Sequence, residues 1–354
     1  MSGEDLISKY EEYVSKKMLF IVISVLLLFL FTIVSISLGS ADIGIKDILG
    51  SFTGNSPDWK SQIIWKIRVP RVLSAILAGL GLAVAGASMQ SILRNPLGSP
   101  FTLGISQAAA FGAAFAVIVL GAGMTYSSSS DAVIINNPYL ITITAFGFSL
   151  LSTVAILMLS KLRDATPETM VLAGIALGSL FTAGMTSLQY FASDVELASV
   201  IFWTFGDLGK ATWRDFFILA AVVIPTMMYF IKKSWDFNAL DGGDETAKSL
   251  GVNVEKVRVK GMLAASLVTA LIVSFFGIIG FVGLVVPHIV RKIIGGNERF
   301  LIPASALFGG VFLLASDTAA RTAISPVILP VGILTSFLGA PLFLYLLIKG
   351  RSYW

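Results

Sequence analysis

The sequence predicts an all-α, polytopic membrane protein with about ten transmembrane helices. Three observations carry that reading. The 354 residues are 56% hydrophobic and 13% charged, with a mean hydropathy of +0.86, whereas a soluble domain has about 25% charged residues. Apolar runs of about 20 residues recur along the chain, long enough to cross roughly 30 Å of hydrocarbon as helices. Between Val72 and Ser193 the charged residues are Arg94, Asp131, Lys161, Arg163, Asp164 and Glu168, all in short breaks between those runs. The reading is therefore one membrane domain over residues 1–354, with a polar, mixed-charge N-terminal segment at 1–17.

The spans are expected at roughly 18–38, 71–93, 101–120, 138–160, 169–190, 213–231, 261–281, 283–295, 302–320 and 327–348. The stretch from Met18 to Leu38 is long for a secretory apolar region and has no small-residue cleavage site after it, so it reads as the first span. The eighth is short. An even number of spans puts both termini on one side. Most of the 25 lysines and arginines fall in segments on that same side, notably 232–260 and the termini. Cytoplasmic loops accumulate Lys and Arg, so both termini are expected in the cytoplasm and the protein in the cell membrane. The same bias accounts for a pI near 9.2 without a nucleic-acid partner. The second span runs inward and the seventh outward. If spans two to five and seven to ten are structural repeats, they are inverted ones. The longest inner loop runs over 232–260, and the longest outer ones over 39–70 and 121–137.

Small residues recur at helical spacing. Ala75, Gly79, Ala83 and Ala87 share a face of the second span, Gly174 and Gly178 form G-x-x-x-G on the fifth, and Ala109, Ala113 and Ala116 line the third. Such faces let backbones approach closely in lipid, which offers no hydrophobic drive between helices. Phe202, Trp203 and Trp213 are expected as an outer aromatic cluster on a short re-entrant helix, serving as interfacial anchors.

Much chemistry is excluded. There is no cysteine, hence no disulfide framework, thiolate metal site or thiol nucleophile. One histidine, His288, cannot build a multi-histidine cage, and Met89, Met170, Met185 and Met262 read as packing residues. No catalytic or metal site is expected. Ion-coupled carriers need ionisable groups inside the bundle. The nearest case here is Asp317, close to the outer end of the ninth span. No G-x-x-x-x-G-K-[ST] occurs, so the chain cannot cradle ATP phosphates itself. A membrane-embedded enzyme would need a convergent acid, base or metal constellation, which is missing. A channel, a secondary carrier, or a permease energised by another subunit remain.

Asp244 to Gly251 reads as a short amphipathic helix stopped by glycine. Within it Glu245, Ala247 and Gly251 fit E-x-A-x-x-x-G, a loop signature by which ABC importer permeases engage their ATPases. Further stretches are Arg68–Leu73 (R-V-P-R-V-L), Gly86–Gln90 (G-A-S-M-Q), Asn95–Pro100 (N-P-L-G-S-P), Leu172–Leu177 (L-A-G-I-A-L), Phe202–Gly206 (F-W-T-F-G), Ser249–Val252 (S-L-G-V), Gly280–His288 (G-F-V-G-L-V-V-P-H) and Leu338–Phe343 (L-G-A-P-L-F). In this order and spacing they make the sequence similar to the FecCD family, the permeases of type II ABC importers for ferric siderophores, haem and vitamin B12. The resemblance covers nearly the whole chain, from the first span to Lys349.

That resemblance implies a homodimer seated on two ABC ATPase subunits, which bind the ATP and Mg, so the permease needs no cofactor of its own. It implies an extracytoplasmic substrate-binding protein whose acidic side chains dock onto outer arginines, by motif Arg68, Arg71 and Arg321. Arginine suits that task because its planar fork grips a carboxylate bidentately. It places the substrate path on the dimer axis, lined by the fifth helices with Gly174 and Gly178. The cytoplasmic narrowing would involve Asn95 and Leu97 on one loop and Pro167 and Glu168 at the start of the fifth span. Some relatives carry only small hydroxyl residues where Glu168 stands. Glu168 equally suits the first turn of a helix, where the dipole favours a carboxylate. The cargo would be a large metal chelate. The residues do not separate siderophore, corrinoid and haem.

Overall fold

The structure is a computed structural model and describes residues 3–39, 41, 43–54, 56–122, 137–162, 166–324 and 327–349. The connection expected at 121–137 lies, apart from its ends, outside the described residues, as do Asp131, Arg163, Asp164 and Arg351. Among the described residues the chain forms fifteen α-helices. They are α1 (Gly3–Ser37), α2 (Ile45–Thr53), α3 (Asp58–Ile63), α4 (Val69–Ile92), α5 (Ile105–Ile118), α6 (Pro138–Lys161), α7 (Pro167–Phe191), α8 (Asp194–Thr204), α9 (Trp213–Lys232), α10 (Ser234–Asp241), α11 (Asp244–Ser249), α12 (Val254–Phe276), α13 (Val282–Ile294), α14 (Glu298–Thr322) and α15 (Val331–Lys349). A π-helical turn, Ile64–Arg68, joins α3 to α4.

Seven helices are long and apolar enough to cross a membrane: α1, α4 with the segment leading into it, α6, α7, α9, α12 and α14. The shorter α5, α13 and α15 complete the ten expected segments. Local chemistry sets the boundaries. Asn137, Thr166, Ser193, Thr212, Asn253 and Asn297 cap helix starts by accepting a backbone N–H in the first turn, which satisfies one of the donors a helix start leaves bare. At the other end, α12 stops at Gly277 and α13 at Gly295, both with positive φ. Prolines inside α9, α13, α14 and α15 do not end those helices, as is usual where neighbouring helices re-satisfy the freed carbonyls.

Helix α4 is the central pillar. Almost every one of its residues is buried, and it packs on α14, α12, α13 and α9. The small-residue face explains why. A Cβ built on Gly79 would lie 2.9 Å from the Gly310 Cα of α14, and one on Gly86 would lie 2.6 Å from the Gly283 Cα of α13. Ala83 meets Gly309 on the same stripe. These are backbone-to-backbone contacts that no larger residue permits.

The helices fall into two halves, α4–α7 and α12–α15. The first helix of each half packs on the third of the other, α4 on α14 and α12 on α6. The second helix is the short one in both, and in both it starts after a left-handed residue, Gly104 before α5 and Phe281 before α13. This is the exchange expected of inverted repeats. One end of the bundle, here the α11 end, gathers the start of α14 and the end of α13: Lys17 of α1 stacks on Phe300 of α14, and Lys292 of α13 on Tyr345 of α15. The opposite end carries Arg68, Arg71 and Arg321.

The expected aromatic cluster divides. Phe202 is exposed on α8, as anticipated, but Trp203 is buried in a core with Val200 and Val273. Trp213 stands outside α8, at the start of α9, where its ring N–H donates to the Trp65 carbonyl at 2.7 Å. One helix cannot present adjacent residues to the same surface, so Phe202 and Trp203 point apart. Adding one methyl as Gly86→Ala should destabilise the protein by about 1–3 kcal/mol. Gly147→Ala, where nothing lies within 4 Å, should be neutral. Thermal unfolding in detergent distinguishes the two.

Candidate transport path and its two ends

One face of α7 and the segment before α5 enclose a groove of about 950 Å³. The α7 wall consists of Val171, Gly174, Ile175, Gly178, Ser179, Thr182, Ala183 and Thr186, and the facing wall includes Asn95, Leu97, Phe101, Thr102 and Gln107. Among the described residues, none that lines it is ionisable. The hydroxyl hydrogens of Ser179, Thr182 and Thr186 are spent on carbonyls four residues back, at 2.9, 2.8 and 3.0 Å. The wall thus offers hydroxyl oxygens and apolar surface, with no fixed charge to hold a passing ion. Much of α7, including Leu172, Ile175 and Leu180, is exposed.

Four of the six residues predicted for the path and gate line this groove: Asn95, Leu97, Gly174 and Gly178. The two glycines have a packing reason as well. A Cβ on Gly174 would lie 2.8 Å from the Leu103 Cα, and one on Gly178 would lie 3.2 Å from the Gly104 Cα. They seat the kink before α5 directly on α7. Pro167 and Glu168 do not line it. Pro167 opens α7 behind the Thr166 cap, and Glu168 is an exposed first-turn carboxylate, the position that the helix dipole favours.

The groove's floor is a tight turn. Asn95 holds it with two bonds, its side-chain oxygen accepting from Leu97 N at 2.9 Å and its carbonyl from Gly98 N at 2.9 Å. The loop expected over 232–260 folds beside it as α10 and α11. Its E-x-A-x-x-x-G pattern has a physical basis. Ala247 is fully buried, and its carbonyl accepts from Val252 N while that of Lys248 accepts from Gly251 N. With Gly251 at φ +81° this is a Schellman cap, in which glycine is the residue that suits the left-handed position. Glu245 and Gly251 are exposed, as is Leu250 beside them at 67%. The far face of α11 is therefore a rigid, solvent-facing knob. At its base, Asp244 accepts two bonds from Arg258, at 2.6 and 2.8 Å, and the guanidinium holds its carboxyl below the usual carboxylate range.

At the opposite end the structure brings Arg68, Arg71 and Arg321 together, but turns them inward. Arg71 donates to both oxygens of Asp317, at 2.7 and 3.0 Å, and Arg321 lies 3.2 Å from the same carboxylate, which is 0% exposed. Asp207 stands 3.7 Å from Arg71. Arg68 donates to the carbonyls of Ile36, Ser37 and Ala41, and Arg321 to those of Ser35 and Leu38. The three arginines expected as a docking set thus share one end of the bundle, with their forks engaged within the chain. The last carbonyls of α1 lack intrahelical partners, and the negative end of the helix draws the two cations onto them.

The model of the FecCD transport family matches residues 26–349. The chain belongs to the FecCD transport family. A protein of Methanocaldococcus jannaschii named as an ABC transporter permease is 56% identical over 345 residues, covering 98% of each chain. The hemin transport system permease of Yersinia pestis is 36% identical over 328 residues, covering 91% of this chain and 95% of its own. An Fe(3+)-citrate import permease of Bacillus subtilis is 35% identical over 94% of this chain and 95% of its own. The vitamin B12 import permease of Vibrio cholerae is 34% identical over 83% and 86%. Among solved structures, an inward-facing conformation described as a metal-chelate type ABC transporter superposes with a TM-score of 0.81 at 28% identity, covering 93% of this chain and 98% of that one. This FecCD chain is thus a multi-pass membrane permease of the metal-chelate ABC importer family.

Sequence reasoning missed Gln107 and the hydroxyl row Ser179, Thr182 and Thr186, although three- and four-residue spacing on one α7 face was the signal. It also saw Asp317 without its partner, because a separation of 246 residues to Arg71 leaves no local trace. Asp317→Ala leaves a buried arginine stranded, and should cost about 3–5 kcal/mol. The double variant R71A/D317A should recover part of that loss, as read by thermal unfolding of detergent-purified protein.

Proposed function

We propose that this chain is the membrane-spanning subunit of an ATP-driven importer that admits a large metal chelate to the cytoplasm. Two copies would face each other across the α7 grooves, so that the two uncharged walls make one axial path. Two ABC ATPase subunits would sit under the α11 knobs, binding ATP and Mg. An extracytoplasmic binding protein would deliver the chelate at the arginine end. In this reading the α11 end, with both termini, is cytoplasmic, and lipid surrounds the rest.

The observation that carries the proposal is the pairing of a wide groove without ionisable lining and a capped helix aimed at solvent beneath it. A secondary carrier needs a binding group for its driving ion, which the groove does not offer. A motor acting on α11 from outside supplies the energy instead. The bulk of a chelate needs enclosure more than a tight grip, and a weakly polar wall gives that. Ferric siderophore, corrinoid and haem all satisfy this chemistry. Relatives named for hemin, Fe(3+)-citrate and vitamin B12 support the class and leave its member open.

Docking of the binding protein falls on the arginine corner. Arg71 and Arg321 share the Asp317 carboxylate there, Asp207 stands beside Arg71, and Arg68 adds a third guanidinium held on backbone carbonyls. The excess positive charge favours an acidic partner surface even though the forks of all three arginines are engaged internally.

Two experiments test the reading. Vesicles holding this chain alone should accumulate no chelate, and those holding it with its ATPase and binding protein should do so on ATP. Uphill uptake by the chain alone refutes the proposal. Separately, Gly251→Val and Glu245→Arg should abolish co-purification of the ATPase, while Arg321→Gln should weaken capture of the binding protein about tenfold, an effect of one lost charged contact. Unchanged capture removes the docking assignment.

A further inference from the structure

The end of α4 is built on a residue that does not suit it. Leu93 closes the helix, Arg94 N–H donates to the Ser91 carbonyl at 3.2 Å, and Asn95 N–H donates to the Gln90 carbonyl at 3.0 Å. This is the same Schellman arrangement that ends α11 at Gly251. At α4, however, the left-handed position is held by Arg94, at φ +46°. A side chain there crowds its own backbone, and glycine relieves the crowding. Strain of this kind persists where the surroundings demand it.

The surroundings name the demand. Arg94 Nη1 lies 3.8 Å from Asp244 Oδ1, at the first residue of α11. The same oxygen receives Arg258 Nη2 at 2.6 Å. Arg258, on α12 and 3% exposed, also donates from Nε to the Ile92 carbonyl at 3.3 Å, one of the carbonyls that the end of α4 leaves bare. One carboxylate therefore ties together α11, α12 and the residue immediately before the Asn95–Gly98 turn, which forms the groove's floor. A glycine at 94 would ease the backbone and cut that tie.

Resting on the permease reading above, we propose that Asp244 is the joint through which displacement of α11 moves the Asn95–Gly98 turn, with Arg94 as the positioning residue on the turn and Arg258 as the pivot on α12. The pivot is buried and bidentate, so it holds α11 to α12 in a fixed angle. The Arg94 contact is longer and half-exposed, so it can lengthen or close as α11 shifts. The turn then follows α11 without any contact between the motor and the groove.

The test uses Arg94→Gly, which a purely structural role makes neutral or stabilising. In vesicles with ATPase and binding protein, R94G should melt at or above the temperature of the native chain and continue to hydrolyse ATP. Its chelate uptake per ATP should fall about tenfold, the scale of a modest coupling between two sites. Arg94→Lys, which keeps the charge, should lose much less. Asp244→Asn should reproduce the R94G loss from the other side. Native uptake that does not depend on ATP would defeat the permease reading. ATP-driven native uptake with R94G unimpaired would defeat the joint alone. A second measurement stands apart from transport. The chain has no cysteine, so Leu97→Cys and Ser249→Cys can be spin-labelled in the purified permease. The distance distribution between them should broaden in R94G, and an unchanged distribution overturns the proposal.

Discussion

The close approach of α4 to α13 and α14 is the constraint on which the rest of the molecule depends. Glycine meets glycine at Gly79 and Gly309 near one end, and at Gly86 and Gly283 further along. In lipid there is no apolar solvent penalty to drive helices together, so dispersion over touching backbones must do so. Once α4 is fixed in that slot, its two ends are fixed as well. Arg68 and Arg71 enter at one end, within reach of α1 and Asp317. Arg94 and Asn95 leave at the other, beside α11. Both functional ends are consequences of how one helix is seated.

Much of this was legible in the chain. The ten apolar segments, the shortness of the eighth and the small-residue stripe on α4 followed from hydropathy and residue spacing alone. So did the helix at Asp244–Gly251, because an amphipathic turn stopped by glycine is a local signal. What escaped was non-local. The spacing around Arg68 and Arg71 marked a charged span end, but not that the forks would turn inward onto α1. Trp203 looked like Phe202 in the sequence, and only the rotation of α8 sends one into the core and the other to the surface. Glu168 read as either a gate or a first-turn acid, and its exposed place outside the groove fits the second. The strain at Arg94 was invisible because a cap type depends on dihedral angles that composition does not set.

The groove and the arginine corner treat charge in opposite ways. Along α7 the hydroxyls bond to their own helix, and among the described residues no ionisable group lines the cavity. At the corner, charges are packed densely, with two arginines sharing one carboxylate. A buried ion pair of this sort is weak evidence for stability, since desolvation offsets the attraction. Its firmer role is geometric, because a bidentate fork fixes the angle between α4 and α14 as well as their distance. In the proposed importer, that rigidity lets the outer rim keep its shape while the walls beneath it shift.

The seating of α1 carries a consequence for biogenesis. Its final turn is closed by Arg68, some 30 residues downstream, and by Arg321, more than 280 residues downstream, reaching back to Ser35 and Leu38. As the nascent chain leaves the ribosome, the first helix has half of this cap long before the other half is translated. Maturation of that corner is therefore one of the last events of insertion, and quality control that senses an unfinished α1 would be sensing whether α14 has arrived.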